Sequence, residues 1–243
     1  MMDRKSLVAA VSAAALGLAA SAANAGVVVS IGGTALAGQG QTSVFNGQAG
    51  FTTFDFNTVP LGSLQAPYSG NGRVVVNSLG GQYAAPRTNA DPNTSRYLAV
   101  PTQTSGTMSV TVNAPTLSSY FGLWWGSVDD YNSIAFFNGS TPVANYTGAA
   151  LRIVPNPHLT RGTQSEAAYF NFTFTGGDAF DRVVLTSTGF ALESDNHVFG
   201  AIEGNQVSGT SVVPVPGAAI LLMSGMLGML FAARRQRKGL QVA

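Results

Sequence analysis

Between residues 26 and 203 the chain is built from short runs in which apolar and polar positions trade places every second residue. Phe170, Phe172 and Phe174 alternate with Asn171, Thr173 and Thr175. Side chains of an extended strand point to opposite faces in turn, so this pattern predicts a strand with one buried and one wet face. Similar runs, rich in β-branched and aromatic residues, occur at Phe51–Phe56, Arg73–Asn77, Thr107–Asn113, Tyr120–Trp125, Ser133–Phe137, Ala168–Thr175, Arg182–Ser187 and His197–Glu203. Breakers separate them: Gly70-Asn71-Gly72, Gly80-Gly81, Asn138-Gly139 and Gly176-Gly177. Asn138-Gly139, followed by Thr141–Tyr146, predicts a hairpin, because both residues tolerate positive φ. No internal stretch beyond ten residues carries a helical period. The expected fold is all-β, a β-sandwich of jelly-roll type over residues 26–203.

The pattern breaks at both ends. Arg4 and Lys5 precede an apolar run from Leu7 to Ala20, and Ala23 and Ala25 place small residues at −3 and −1 of a cleavage site. Residues 1–25 therefore read as a secretory signal peptide, which implies the Sec machinery and signal peptidase as partners. Residues 204–213 form a polar spacer, expected to be flexible. Beyond it, Ala218–Ala233 is 16 residues without a charge, about 24 Å as a helix at ~1.5 Å per residue. The valines before it lengthen this span toward that of a hydrocarbon core, and Pro216 suits a first helical turn. Arg234, Arg235, Arg237 and Lys238 follow at once. Four cations after an apolar helix predict a membrane-spanning segment whose basic end, with residues 239–243, stays cytoplasmic. The domain between the two ends is then exported.

These end residues also carry a family resemblance. Val213-Pro214-Val215-Pro216-Gly217-Ala218, the apolar helix and Arg234-Arg235-Gln236-Arg237-Lys238 together resemble a PEP-CTERM sorting tail, here over 214–238. That resemblance implies an exosortase-type sorting protease as partner, with passage through the inner membrane to the cell surface or the exterior. Val215 stands where the family usually has Glu between the two prolines. Tyr120–Asn132, Phe180–Val184 and Glu193–His197 are similar to stretches in a subset of PEP-CTERM ectodomains.

Composition narrows the function classes. Residues 26–203 hold ten acids against six arginines and no lysine, a net of −4. Such a domain lacks the basic footprint that nucleic acid requires. With no cysteine in the chain, disulfides, thiolate metal sites and lipid attachment at a lipobox are excluded.

Three constellations stand out as candidate chemistry. Trp124 and Trp125 are the two tryptophans, and adjacent strand residues face opposite ways. One exposed ring would stack on a sugar, with Asp129 and Asn132 bonding its hydroxyls. Glu193, Asp195 and Asn196 supply oxygens of the kind a structural Ca²⁺ takes, although no cofactor is required. His158 and His197 belong to no catalytic motif, and no nucleophile elbow, P-loop or dinucleotide fingerprint occurs. The sequence thus points to a non-enzymatic surface or extracellular-matrix protein associated with exopolysaccharide. A carbohydrate-binding module is the alternative reading, and a secreted hydrolase the third.

Overall fold

The computed structural model describes residues 26–101, 106–152, 167–202 and 211–215. Its first strands are β1 (Gly26–Ile31), β2 (Thr34–Ala35), β3 (Gln41–Thr42), β4 (Phe51–Phe54), β5 (Tyr68–Gly70), β6 (Arg73–Val75) and β7 (Tyr97–Val100). Then come β8 (Met108–Ser118), β9 (Tyr120–Gly126), β10 (Asn132–Asn138) and β11 (Thr141–Thr147), followed by a single helical turn, α1 (Gly148–Leu151). The series closes with β12 (Ala168–Thr175), β13 (Phe180–Ser187), β14 (Leu192–Gly200) and β15 (Ser211–Val215).

The strands form two main antiparallel sheets. One runs β15-β1-β12-β9-β14-β7-β6, with β4 also pairing to β14; the other runs β11-β10-β13-β8-β5. They pack face to face. Phe121, Phe170, Phe172 and Phe199 of the larger sheet meet Val110, Ile134, Phe136 and Leu185 of the smaller one in a single core. The Phe136 ring lies 5.9 Å from Phe121, edge to face, and 5.1 Å from Phe172, at a tilt of 50°. This is the all-β sandwich that the alternating pattern predicts. Among the described residues no helix is long and apolar enough to cross a membrane. The signal segment, Pro216, the apolar stretch and its basic end lie outside the described residues.

The larger sheet departs from the expected single wet face. Asn171 and Thr173, read as solvent-facing, are buried, as is every residue of β9 and β14. Residues 32–50 and 77–96 fold back over this second face. The Asn171 amide donates to Gly32 O at 2.9 Å and its carbonyl accepts from the Tyr120 hydroxyl, which also bonds Ser43 Oγ at 2.7 Å. Asn171 thus ties this polar face to the segments that cover it, which offsets the cost of burying its amide, while the Thr173 hydroxyl finds no partner among the described residues.

Two boundaries also shift. The hairpin loop is Gly139-Ser140, since Asn138 still pairs with Thr141, and only Gly139 takes positive φ, at 57°. Residues 211–213, expected within the spacer, join Pro214 and Val215 in β15, which runs antiparallel to β1 with Val27 opposite Val215. Proline lacks an N–H and fits an edge strand, which is where Pro214 lies.

Candidate functional site

Trp124 and Trp125 do face opposite ways, but neither reaches solvent: both are 0% exposed. Trp125 enters the sandwich core beside Phe170, ring centroids 5.7 Å apart. Trp124 lies beneath the covering segments, against Ala167 and Tyr169, with Nε1 donating to Pro86 O at 2.9 Å. The turn above it holds Gly40 at φ 72°, where an added Cβ would collide with the indole. The expectation of an exposed stacking ring is therefore corrected, because a tryptophan sealed on both faces offers no platform to a sugar. Asn132 is also fully buried, its amide donating to Ala191 O at 3.1 Å.

β14 carries five consecutive polar residues, Glu193 to His197, all buried. A bulge between Asp195 and Val198 sets two residues, Asn196 and His197, against the single Leu123 of β9, with Asn196 at φ 50°. Strand alternation and the bulge together send Glu193, Asp195 and Asn196 to the covered face and Ser194 and His197 to the core.

On the covered face the three expected Ca²⁺ ligands divide. Asp195 accepts from Asn93 Nδ2 at 2.7 Å, Ser95 Oγ at 3.0 Å and the Asn196 N–H at 2.7 Å. Both of its oxygens face hydrogen-bond donors, an arrangement suited to a clamp. Asn196 Nδ2 donates to Gln39 O and Gln41 O at 2.6 and 2.9 Å. These two residues fasten both covering segments to the sheet. Glu193 turns elsewhere, into a cavity of about 200 Å³ whose walls include Tyr83, Ala84, Ser127, Asp129 and Tyr131. Among the described residues no three of His, Cys, Asp and Glu converge as a metal set. Burial pushes the Glu193 carboxyl up, and nearby Asp129 adds to the rise while the Ala84 N–H opposes it. Burial likewise raises Asp195, against the donors that hold it.

On the core face, His197 Nε2 lies 3.0 Å from Ser194 Oγ and Nδ1 lies 3.0 Å from the Tyr68 hydroxyl. A serine beside a histidine resembles a nucleophile and its base. Here both are 0% exposed, and the imidazole is wedged among Phe56, Tyr68 and Phe121. A polar tether is the role this geometry permits, since a substrate has no route to it.

Burial lowers the His197 pKa to about 3. An unfolded histidine titrates near ~6.5, so between ~6.5 and about 3 the unfolded chain binds the extra proton. The stability tied to neutral His197 is present above that window and is lost as pH falls through it, by up to ~1.4 kcal/mol per pH unit. The raised carboxyls act with the opposite sign, losing their contribution as pH rises. Comparing the wild type with His197→Gln by urea unfolding at stepped pH isolates the histidine. The variant should show the shallower acid limb, and parallel limbs would refute the assignment.

Sequence reading singled out Glu193, Asp195 and Asn196 but missed their partners Asn93, Ser95 and Ala84, and also Tyr68 and Tyr131. The available signal was the polar run itself, set between Leu192 and Val198 in a chain whose other strands are mainly apolar. A second groove, of about 280 Å³ and lined by Leu61, Val74, Val76, Leu79 and Tyr83, lies open on the surface. Of the sorting residues, Pro214 and Val215 lie in β15, opposite Val28 and Val27.

No protein-family model matches this chain, and no curated protein matches its sequence. Among solved structures it is similar to the K2 cleaved adhesin domain of Lys-gingipain, at a TM-score of 0.36 and 12% identity, covering 61% of this chain and 98% of that one.

Proposed function

We propose that this is an exported, non-enzymatic protein of the cell surface or extracellular matrix, a jelly-roll-like domain delivered by an exosortase-dependent route and associated with exopolysaccharide. The observation that carries the reading is the pairing of β1 with β15, which sets Val27 opposite Val215. The chain enters the domain directly after the signal segment and leaves it directly before the apolar tail. The two ends of the domain therefore lie at one corner of one sheet, a placement that suits segments engaging the same membrane from the same side. The basic residues at each end favour a cytoplasmic location for both. The charge-poor, cysteine-free domain and its sealed Ser194–His197 pair agree with a binding or structural role.

The test is a truncation after Gly217 that keeps β15 and removes the tail, beside a variant with Arg234, Arg235, Arg237 and Lys238 changed to Ala. In intact cells the full chain should be trimmed by added protease, while the truncated chain should be lost from the envelope fraction. Equal envelope retention of both forms would remove the sorting role. Protection of the full chain until lysis would remove surface exposure altogether.

A further inference from the structure

We propose a Ca²⁺-class cation site in the cavity between the Ser127–Tyr131 loop and the start of β14, with the carboxylates of Asp129 and Glu193 as its anionic ligands. The carrying observation is Glu193. It is 2% exposed, it lines the cavity, and only one of its oxygens is satisfied. Oε1 accepts the Ala84 N–H at 2.8 Å, whereas Oε2 is buried with no hydrogen-bond partner. A buried carboxylate oxygen left without a donor is costly, and a cation removes that cost.

The rest of the wall agrees with that occupant. Asp129 lines the same cavity, is 7% exposed, and lies close enough to Glu193 to raise its pKa. Asn132 stands behind the wall and fixes it, its amide donating to Ser127 O and Ala191 O. The neighbouring Arg152 pairs with Asp130. Hydroxyl and carbonyl oxygen complete the wall: the Tyr131 hydroxyl lies 2.8 Å from Asp129 Oδ2 and 2.5 Å from Phe190 O.

The walls offer oxygen in place of imidazole or thiolate, which selects a hard cation. Ca²⁺ takes six to eight oxygens in irregular geometry and fills its shell with water, for which the cavity has room. Two carboxylates predict a modest affinity, with a Kd of about 10⁻⁴–10⁻³ M. The site differs from a Glu193–Asp195–Asn196 set, because Asp195 is held by three donors. It stands independently of how the chain is sorted.

The experiment uses the purified full-length chain in detergent, melted in chelator and in 10 mM CaCl₂. The wild type should gain about 3–10 °C in Ca²⁺. Asp129→Asn and Glu193→Gln should each abolish that gain, while Asp195→Asn should keep it relative to its own chelated form. The proposal is overturned if the wild type gains nothing, if either cavity variant gains as the wild type does, or if Asp195→Asn loses the gain. Should the cavity variants fail to fold, Tb³⁺ added to the wild type decides. Emission excited through the aromatic side chains and displaced by Ca²⁺ supports the site, and its absence overturns it.

Discussion

Trp124→Ala is expected to lower the stability of the domain by about 3–5 kcal/mol, the range for deleting a fully buried aromatic. The indole is 0% exposed and fills the space between Tyr169, Ala167 and the Gly40 turn. Its loss leaves a cavity under the covering segments and strips the Pro86 carbonyl of its donor. Trp124→Phe should cost less, because most of the ring volume stays while the hydrogen bond goes. Chemical denaturation followed by circular dichroism separates the three proteins. A surface platform for sugar would tolerate the alanine with little change, so a loss under about 1 kcal/mol would contradict the buried placement.

Asp195→Ala should cost a similar amount, about 3–5 kcal/mol, for a different reason. Here the volume removed is small, but Asn93 Nδ2, Ser95 Oγ and the Asn196 N–H lose their shared acceptor. Ser95 Oγ keeps Asn93 Oδ1 at 2.8 Å, while each of the other two buried donors left unmade costs about 1–3 kcal/mol. Asp195→Asn, which retains one acceptor oxygen, should recover about half of the loss. Limited proteolysis adds a readout that a uniform loss of stability would not produce. In the alanine variant cleavage should begin within residues 38–41 and 91–96, which the clamp holds to the sheet. First cuts elsewhere would show that these segments are fixed by other contacts.

Much of the sandwich was legible from side-chain alternation. Ala168–Thr175 has the strand boundaries its pattern predicts, and Tyr120–Trp125 and Ser133–Phe137 grow by a residue or two at their ends. What alternation cannot register is whether a polar face is wet or covered. Asn171 and Thr173 look alike in sequence whether they meet water or Gly32 and Tyr120, and the covering segments carry no period of their own. The same blindness explains β14. Its Glu-Ser-Asp-Asn-His run reads as a loop, so the predicted strand began at His197, while the observed one begins at Leu192. β1 was obscured by its place behind the signal segment, and β7 by its four-residue length.

The candidate site was legible as residue types and illegible as geometry. Glu193 and Asp195 are two positions apart and share a sheet face, which places them correctly. Their partners come from residues 84, 93 and 95, about a hundred positions away, and no local pattern announces such a contact. The tryptophan reading failed on the same ground, since exposure depends on what folds over the sheet.

The pairing of the first and last strands has a mechanical consequence. Tension drawn through the C-terminal segment enters the domain at Val215, the last paired residue of β15, and when directed across the sheet it loads the β1–β15 contacts one after another. Five register pairs, one of them opposite Pro214, make this seam easy to unzip. Under such a pull β15 would peel away and release a few residues of chain, while the aromatic core between the two sheets carried no load.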